Sequence, residues 1–315
     1  MNKDPVTIGD WMQRYLDYSQ IKHSEKTYKE KRSTFKRFFQ FLKDKELNQY
    51  SDMSEITIIL CLEYLQIQYV ERSGYAANKD RKNISAAYTW LTKYLDYYSV
   101  DNPFERIDKF PEIKKLRYIP PVADFWKVYN ACDNPQDKLM LITFLYTAGR
   151  RGELFRLTWS DINFEQNTIA LKTMKREQGN YEIDMIPLHE NLKQELLDWK
   201  NKQPIKQEYV FLCITTNQVG KPHQRYGKPF VTRHTFMKKI CNKAGVKPFD
   251  FHAIRHLTAT VLYHNGSKPS VVQLILRHKN ASTTEKYLHS LGLNNELKAE
   301  FNSNMPDIFN NQSAT

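Results

Sequence analysis

Residues 252–289 read HAIRHLTATVLYHNGSKPSVVQLILRHKNASTTEKYLH. His252 and Arg255 are three residues apart, so one helical turn sets them on the same side. Ile254, Leu257, Val261 and Leu262 fall on the opposite, apolar side, which should pack inward. Arg277 and His278 follow a second apolar run. Ser282 and Glu285 then form a capping box, which puts Tyr287 near the start of a further helix. His252 and His256 at i, i+4 lack the glutamate of a zinc-binding helix, because position 253 is Ala, and no cysteine is nearby. No metal and no cofactor are expected.

Upstream, residues 147–154 read TAGRRGEL and residues 157–162 LTWSDI. A glycine-containing break between two helices sets Arg150 at a helix start, where backbone N–H groups and a guanidinium converge on an anion. The plainer alternative is a surface ion pair between Arg150 and Glu153. Residues 168–171 and 183–186 read as strands turned at Gly179-Asn180, and Val210, Phe211 and Leu212 as a further short strand. Lys172 and Lys175 lie on that hairpin. Two arginines, two histidines, a tyrosine and a hairpin lysine make a cationic pocket with no acid pair. A free tyrosine titrates near ~10 and is a poor nucleophile. Nearby guanidinium groups favour its phenolate and stabilise the extra charge of a pentavalent phosphorus. Metal-free attack of tyrosine on a phosphodiester is the chemistry that uses these parts together.

The N-terminal third reads as four helices. Trp11, Met12, Tyr15 and Leu16 mark the first. The second runs over 25–43, capped by Ser24 or His23, with Tyr28, Phe35, Phe38, Phe39 and Leu42 on one stripe. The third spans 57–72 and stops at Ser73-Gly74; the fourth spans 76–98. Pro103, Pro111, Pro120 and Pro121 disfavour a helix through 101–121, which reads as a linker. The expected fold is mainly α with a small β-sheet: a helical domain (1–100), the linker, an α+β domain (122–302) and a frayed tail (303–315).

Composition agrees. Lys and Arg total 47 against 35 Asp and Glu, a net charge of +12 that points to a polyanion such as nucleic acid. Residues 1–120 carry 21 basic and 17 acidic groups, and residues 121–315 carry 26 and 18, so the anion-binding surface should span both halves. With 10 glycines, a Gly-rich nucleotide loop is disfavoured. No apolar run reaches membrane-spanning length and residues 1–5 show no leader, so a cytoplasmic protein is expected. The four cysteines form no CxxC, which argues against a zinc ribbon or redox dithiol.

The boxes at 147–162 and 252–289, in this order and spacing, resemble the tyrosine recombinases, or phage-type integrases. The likeness extends over about residues 5 to 300 and includes Ser24-Glu25-Lys26-Thr27-Tyr28 leading into a basic helix. It implies an N-terminal four-helix, SAM-like core-binding domain and a tyrosine-recombinase catalytic domain, closing as a C-shaped clamp on duplex DNA. Arg150 and Arg255 would clamp the scissile phosphate, with His252 and His278 bonding it and aiding proton transfer. Tyr287 would form a 3′-phosphotyrosyl link, and Glu153 would orient the pocket. The general acid would be Lys175, with Lys172 as the alternative. Arg151 follows Arg150, and the three-residue interval to Glu153 favours Arg150. Arg277 stands where the family usually has glycine, a change that adds a phosphate contact or alters the turn. Lys26, Lys29, Arg32, Lys79 and Lys82 are the other expected DNA contacts. The family works as a homotetramer on two paired sites, through a Holliday junction and without metal or ATP. Two-domain members include chromosome-dimer resolvases and integrases of mobile elements, in bacteria, archaea and phages, acting at the nucleoid. The competing readings are a non-catalytic DNA-binding protein on this fold, a type IB topoisomerase-like strand passer and a metal-dependent nuclease.

Overall fold

The computed structural model describes residues 6–94, 101–113, 118–174, 181–214, 224–233, 235–280 and 282. They form two compact units, one within 6–113 and one from 118 onward. The protein is mainly helical, with one small antiparallel sheet.

The first unit holds α1 (Ile8–Lys22), α2 (Glu25–Asp44), α3 (Ile58–Glu71) and α4 (Gly74–Tyr94). Thr7, Ser24 and Thr57 each accept a backbone N–H from three residues on, satisfying one orphan donor per helix. Of the two caps considered for the second helix, Ser24 is the one used. Trp11, Phe35, Phe38, Tyr64, Tyr88 and Phe104 fill the core. At its edge the buried Asp80 ties three helices together. Its carboxylate accepts from Thr34 and Arg37 of α2, from Tyr64 of α3, and from Arg72 at the end of α3. Two cations and two hydroxyls compensate the desolvation of that one charge.

Two expectations are corrected here. Gly74 does not stop the third helix but begins α4. A Cβ at that position would lie 1.8 Å from the Pro111 carbonyl oxygen, so a close backbone approach requires glycine. The first part of the expected linker is likewise packed structure. Phe104 and Ile107 are buried in the first core, and Arg81 and Asn78 of α4 donate to the carbonyls of Ile107 and Phe110. Proline excluded a helix there but not burial, because side chains of α4 supply the hydrogen bonds a helix would have supplied itself.

The second unit runs α5 (Val122–Ala131), α6 (Pro135–Thr147), α7 (Arg151–Leu154), β1 (Ile162–Asn163), β2 (Thr168–Met174), β3 (Tyr181–Pro187), α8 (Glu190–Lys202), α9 (Phe236–Lys243), α10 (Phe251–His264) and α11 (Pro269–Leu276). The sheet order is β1-β2-β3. Ile169 pairs with Ile186 and Leu171 with Asp184, so Ile169, Leu171 and Thr173 share a face with Asp184. Lys172 pairs with Ile183 on the other face, where Ile183 and Met185 are exposed. The expected strand at 210–212 is an irregular buried segment instead. The Gln136 side chain takes both the N–H and the C=O of Leu212 and replaces a strand neighbour. Phe144 of α6 stacks on Phe251 of α10 with centroids 4.5 Å apart, and Phe155 packs edge-on against Phe251. This aromatic cluster fixes the end of α7 against the start of α10. Among the described residues no helix is long and apolar enough to cross a membrane.

Candidate active site

α6 ends at Ala148 in the left-handed conformation (φ 47°). Gly149 follows, and a Cβ there would lie 2.7 Å from Cγ of Leu154, so only glycine fits the turn. Arg150 then caps the short α7. Glu153, one turn on, is buried and holds Arg150 twice, accepting its backbone N–H at 2.8 Å and its Nη1 at 2.8 Å. Thr173 Oγ1 of β2 donates to Glu153 Oε1 at 2.6 Å, and Arg277 Nη2 donates to Oε2 at 2.7 Å. Burial alone would raise the carboxyl. The Arg277 charge and the bonds from Thr173 and Arg150 outweigh burial and hold it below the usual carboxylate range. Arg150 is thus paired with Glu153, as the plain alternative had it, but its side chain keeps 40% exposure and the carboxylate behind it is buried.

α10 starts at the Asp250 cap, whose side chain accepts the Ala253 N–H at 2.8 Å. That start leaves His252 exposed in the first turn and sets Arg255 one turn below, at 2% exposure. Arg255 donates to the carbonyl of Ala148 at 2.6 Å and to that of Leu276. These are terminal carbonyls of α6 and α11, which have no helical partner, so one guanidinium caps two helices. α11 itself ends at Arg277, in the left-handed conformation (φ 52°) that costs a residue with a Cβ about 1 kcal/mol. His278 follows. Burial, then the charges of Arg255, Arg150, Arg277 and His252, lower its pKa to about 4, so the imidazole is neutral near neutral pH.

The structure therefore gathers Arg150, His252, Arg255 and His278, which lie more than a hundred residues apart at the extremes, and adds Glu153 and Arg277. Tyr287 and Lys175 lie outside the described residues. Lys172 pairs with the buried Asp161, which Thr158 also holds, and it sits on the sheet face opposite Thr173. The rings of His252 and His256 lie 4.5 Å apart, yet among the described residues no three metal-ligating side chains form a group.

The expected DNA contacts divide. Lys26, Lys29, Arg32 and Lys82 are exposed, whereas Lys79 is half-buried and paired with Glu30 at 3.1 Å. Lys29 and Arg32 line a cavity of about 580 Å³ between α1 and α2, with Met12, Leu16 and Phe39. Lys82 acts on the buried Lys31, whose pKa falls to about 8 through burial first and that charge second. Arg277, also expected to contact DNA, has a side chain that is 4% exposed and bound to Glu153. The expectation missed that link because nothing local marks it; the one signal was an arginine in a place where the family usually has glycine. The helix-capping role of Arg255 and the Thr173 bond were missed for the same reason.

The family match over residues 122–292 makes the chain a tyrosine recombinase, an enzyme of site-specific DNA recombination. Residues 122–292 match the Phage integrase family, and the chain belongs to it. A tyrosine recombinase XerC-like protein of Caldanaerobacter subterraneus subsp. tengcongensis is 28% identical over 328 residues, covering 90% of this chain and 79% of the relative. The fold is shared with a lambda integrase tetramer bound to a Holliday junction (TM-score 0.66, 18% identity, 90% of this chain and 78% of that one). It is also shared with the Tn1549 transposon integrase in complex with transposon right end DNA (TM-score 0.65, 20% identity, 95% and 100%).

Proposed function

We propose that the chain cuts and rejoins duplex DNA through a 3′-phosphotyrosyl intermediate, with Tyr287 as nucleophile and Arg150, Arg255, His252 and His278 around the phosphate. The observation that carries this is the convergence of cations on His278. A phosphate entering among Arg150, Arg255 and His252 places negative charge where positive charge suppresses protonation. It raises the His278 pKa from about 4 toward a value suited to proton transfer. The tyrosyl oxygen bonds to phosphorus as its proton passes to His278. The P–O5′ bond breaks, and Lys175 gives a proton to the departing 5′-oxygen. A 5′-hydroxyl of a partner strand reverses the step, so bond energy is retained and no ATP is used. Four protomers on two paired sites would exchange one strand pair to a Holliday junction and then the second; the lambda integrase assembly supports that count.

The test is adduct formation on nicked duplexes of randomised sequence, in EDTA. A protein–DNA band stable to denaturant is expected. A metal-dependent free 3′ end with no attached protein would sink the reading.

Lys175 is preferred to Lys172 as general acid because Asp161 engages Lys172 and Thr173, which reaches Glu153, lies on the other face. A 5′-bridging phosphorothioate makes the leaving group good without an acid. On that substrate Lys175→Ala should regain near-normal cleavage, from a loss of about 10²- to 10⁴-fold on ordinary DNA. Rescue of Lys172→Ala in its place would reverse the assignment.

A further inference from the structure

Glu153 has two oxygens, and two cations share them. Oε1 takes Arg150 Nη1 and Thr173 Oγ1, while Oε2 takes the Arg150 backbone N–H and Arg277 Nη2. The Arg277 side chain is 4% exposed and that of Glu153 is 2% exposed. Arg277 Nε stands 3.7 Å from Asp184 Oδ2, and among the described residues neither Nε nor Nη1 makes a hydrogen bond. A buried guanidinium so sparsely bonded is costly, and the left-handed backbone at this residue adds strain that glycine would not have. The full hydrogen bond from the Arg277 side chain goes to Glu153.

We propose that Arg277 is a positioning residue: by holding Oε2 of Glu153 it fixes the carboxylate that aims Arg150, and it ties the Arg150 arm of the pocket to the residue next to His278. The proposal rests on the recombinase reading above. Two charges face Glu153, Arg150 from the start of α7 and Arg277 from the end of α11; Thr173 of β2 adds a neutral donor. Arg277 in turn faces Asp184 of β3 and the charge of Arg150. His278 faces Arg255, Arg150, Arg277 and His252. Without Arg277, Glu153 loses one of its two cations and is protonated at higher pH, and so is His278. A carboxyl that has gained its proton no longer holds the Arg150 guanidinium as a charged pair.

The test compares Arg277→Gly, Arg277→Lys, Glu153→Gln and the Arg277→Gly/Glu153→Gln double variant. Covalent cleavage is followed over pH on a nicked duplex that the unaltered chain has selected from randomised sequences, alongside DNA affinity and thermal melting. Arg277→Gly should cleave on the order of 100-fold more slowly at unchanged affinity, because Arg150 is misplaced. Its acid limb should move to higher pH, and Arg277→Lys should recover part of the rate. The double variant should be no slower than Glu153→Gln alone. Three results would overturn the inference: wild-type cleavage by Arg277→Gly, a pH-independent loss that tracks melting and is not relieved by lysine, or a double variant slower by the full Arg277 factor, which would mean a direct phosphate contact. No adduct from the unaltered chain would overturn the recombinase reading and the inference with it. An adduct indifferent to Arg277 overturns the inference alone.

Discussion

Tyr287→Phe is expected to bind DNA as the unaltered chain does and to lose covalent cleavage by at least about 10⁴-fold. The substitution removes one oxygen and keeps the ring, so it deletes the proposed nucleophile with the least change of shape. Substitution by a tyrosine from the core of the first unit is not expected. Burial pushes Tyr15 up to about 12 and raises Tyr64 and Tyr88 as well, which takes them away from phenolate and from solvent. Arg150, Arg255 and His252 are where an incoming phosphate would meet positive charge. Quantifying the denaturant-stable adduct beside a binding isotherm checks both halves. An undiminished adduct in Tyr287→Phe would assign the nucleophile to another residue, and a parallel loss of binding would make Tyr287 an anchor to DNA.

Arg255→Ala should fail twice. In the folded chain Arg255 caps α6 and α11 through the Ala148 and Leu276 carbonyls. Losing two charge-assisted bonds at buried acceptors costs the second unit about 3 kcal/mol. In its proposed role as a phosphate ligand, its loss should slow cleavage by about 10³-fold more than any unfolding explains. Arg255→Lys asks whether charge alone suffices for either role. An ammonium retains the charge, yet it does not reproduce the planar fork that reaches both helix ends at once, so lysine should restore little stability and little rate. Denaturant unfolding monitored in the second unit, with single-turnover cleavage under folded conditions, reads the two effects separately. A lysine variant with full activity would show that only the charge matters.

The helices and the hairpin were legible because each depends on neighbours in sequence. Ser24 caps α2, and the strands read at 168–171 and 183–186 appear as β2 and β3, each extended toward the turn. Val210–Leu212 failed because side chains outside the segment take up its backbone groups: Gln136 bonds Leu212, and Trp199 and Gln203 bond the Val210 carbonyl. Residues 101–113 failed because prolines report only on helix, whereas Phe104 and Ile107 had a core to enter. At the site, Arg150, His252, Arg255 and His278 stood out through spacing and order. Their division into an exposed Arg150 and a buried Arg255 did not.

What residue order alone determines here is the set of chemical groups: arginine and histidine at helical spacing, a tyrosine after a capping box, and a positive surplus suited to DNA. These follow from local geometry and composition, which a linear chain carries in full. Tertiary structure decides which charges meet. It brings Arg277 across 124 residues to Glu153 and buries its side chain, sets Arg255 at two helix ends and pairs Lys172 with Asp161. The reason is electrostatic. Inside a packed unit the cost of burying a charge depends on partners within a few ångströms, and only folding determines which residues those are.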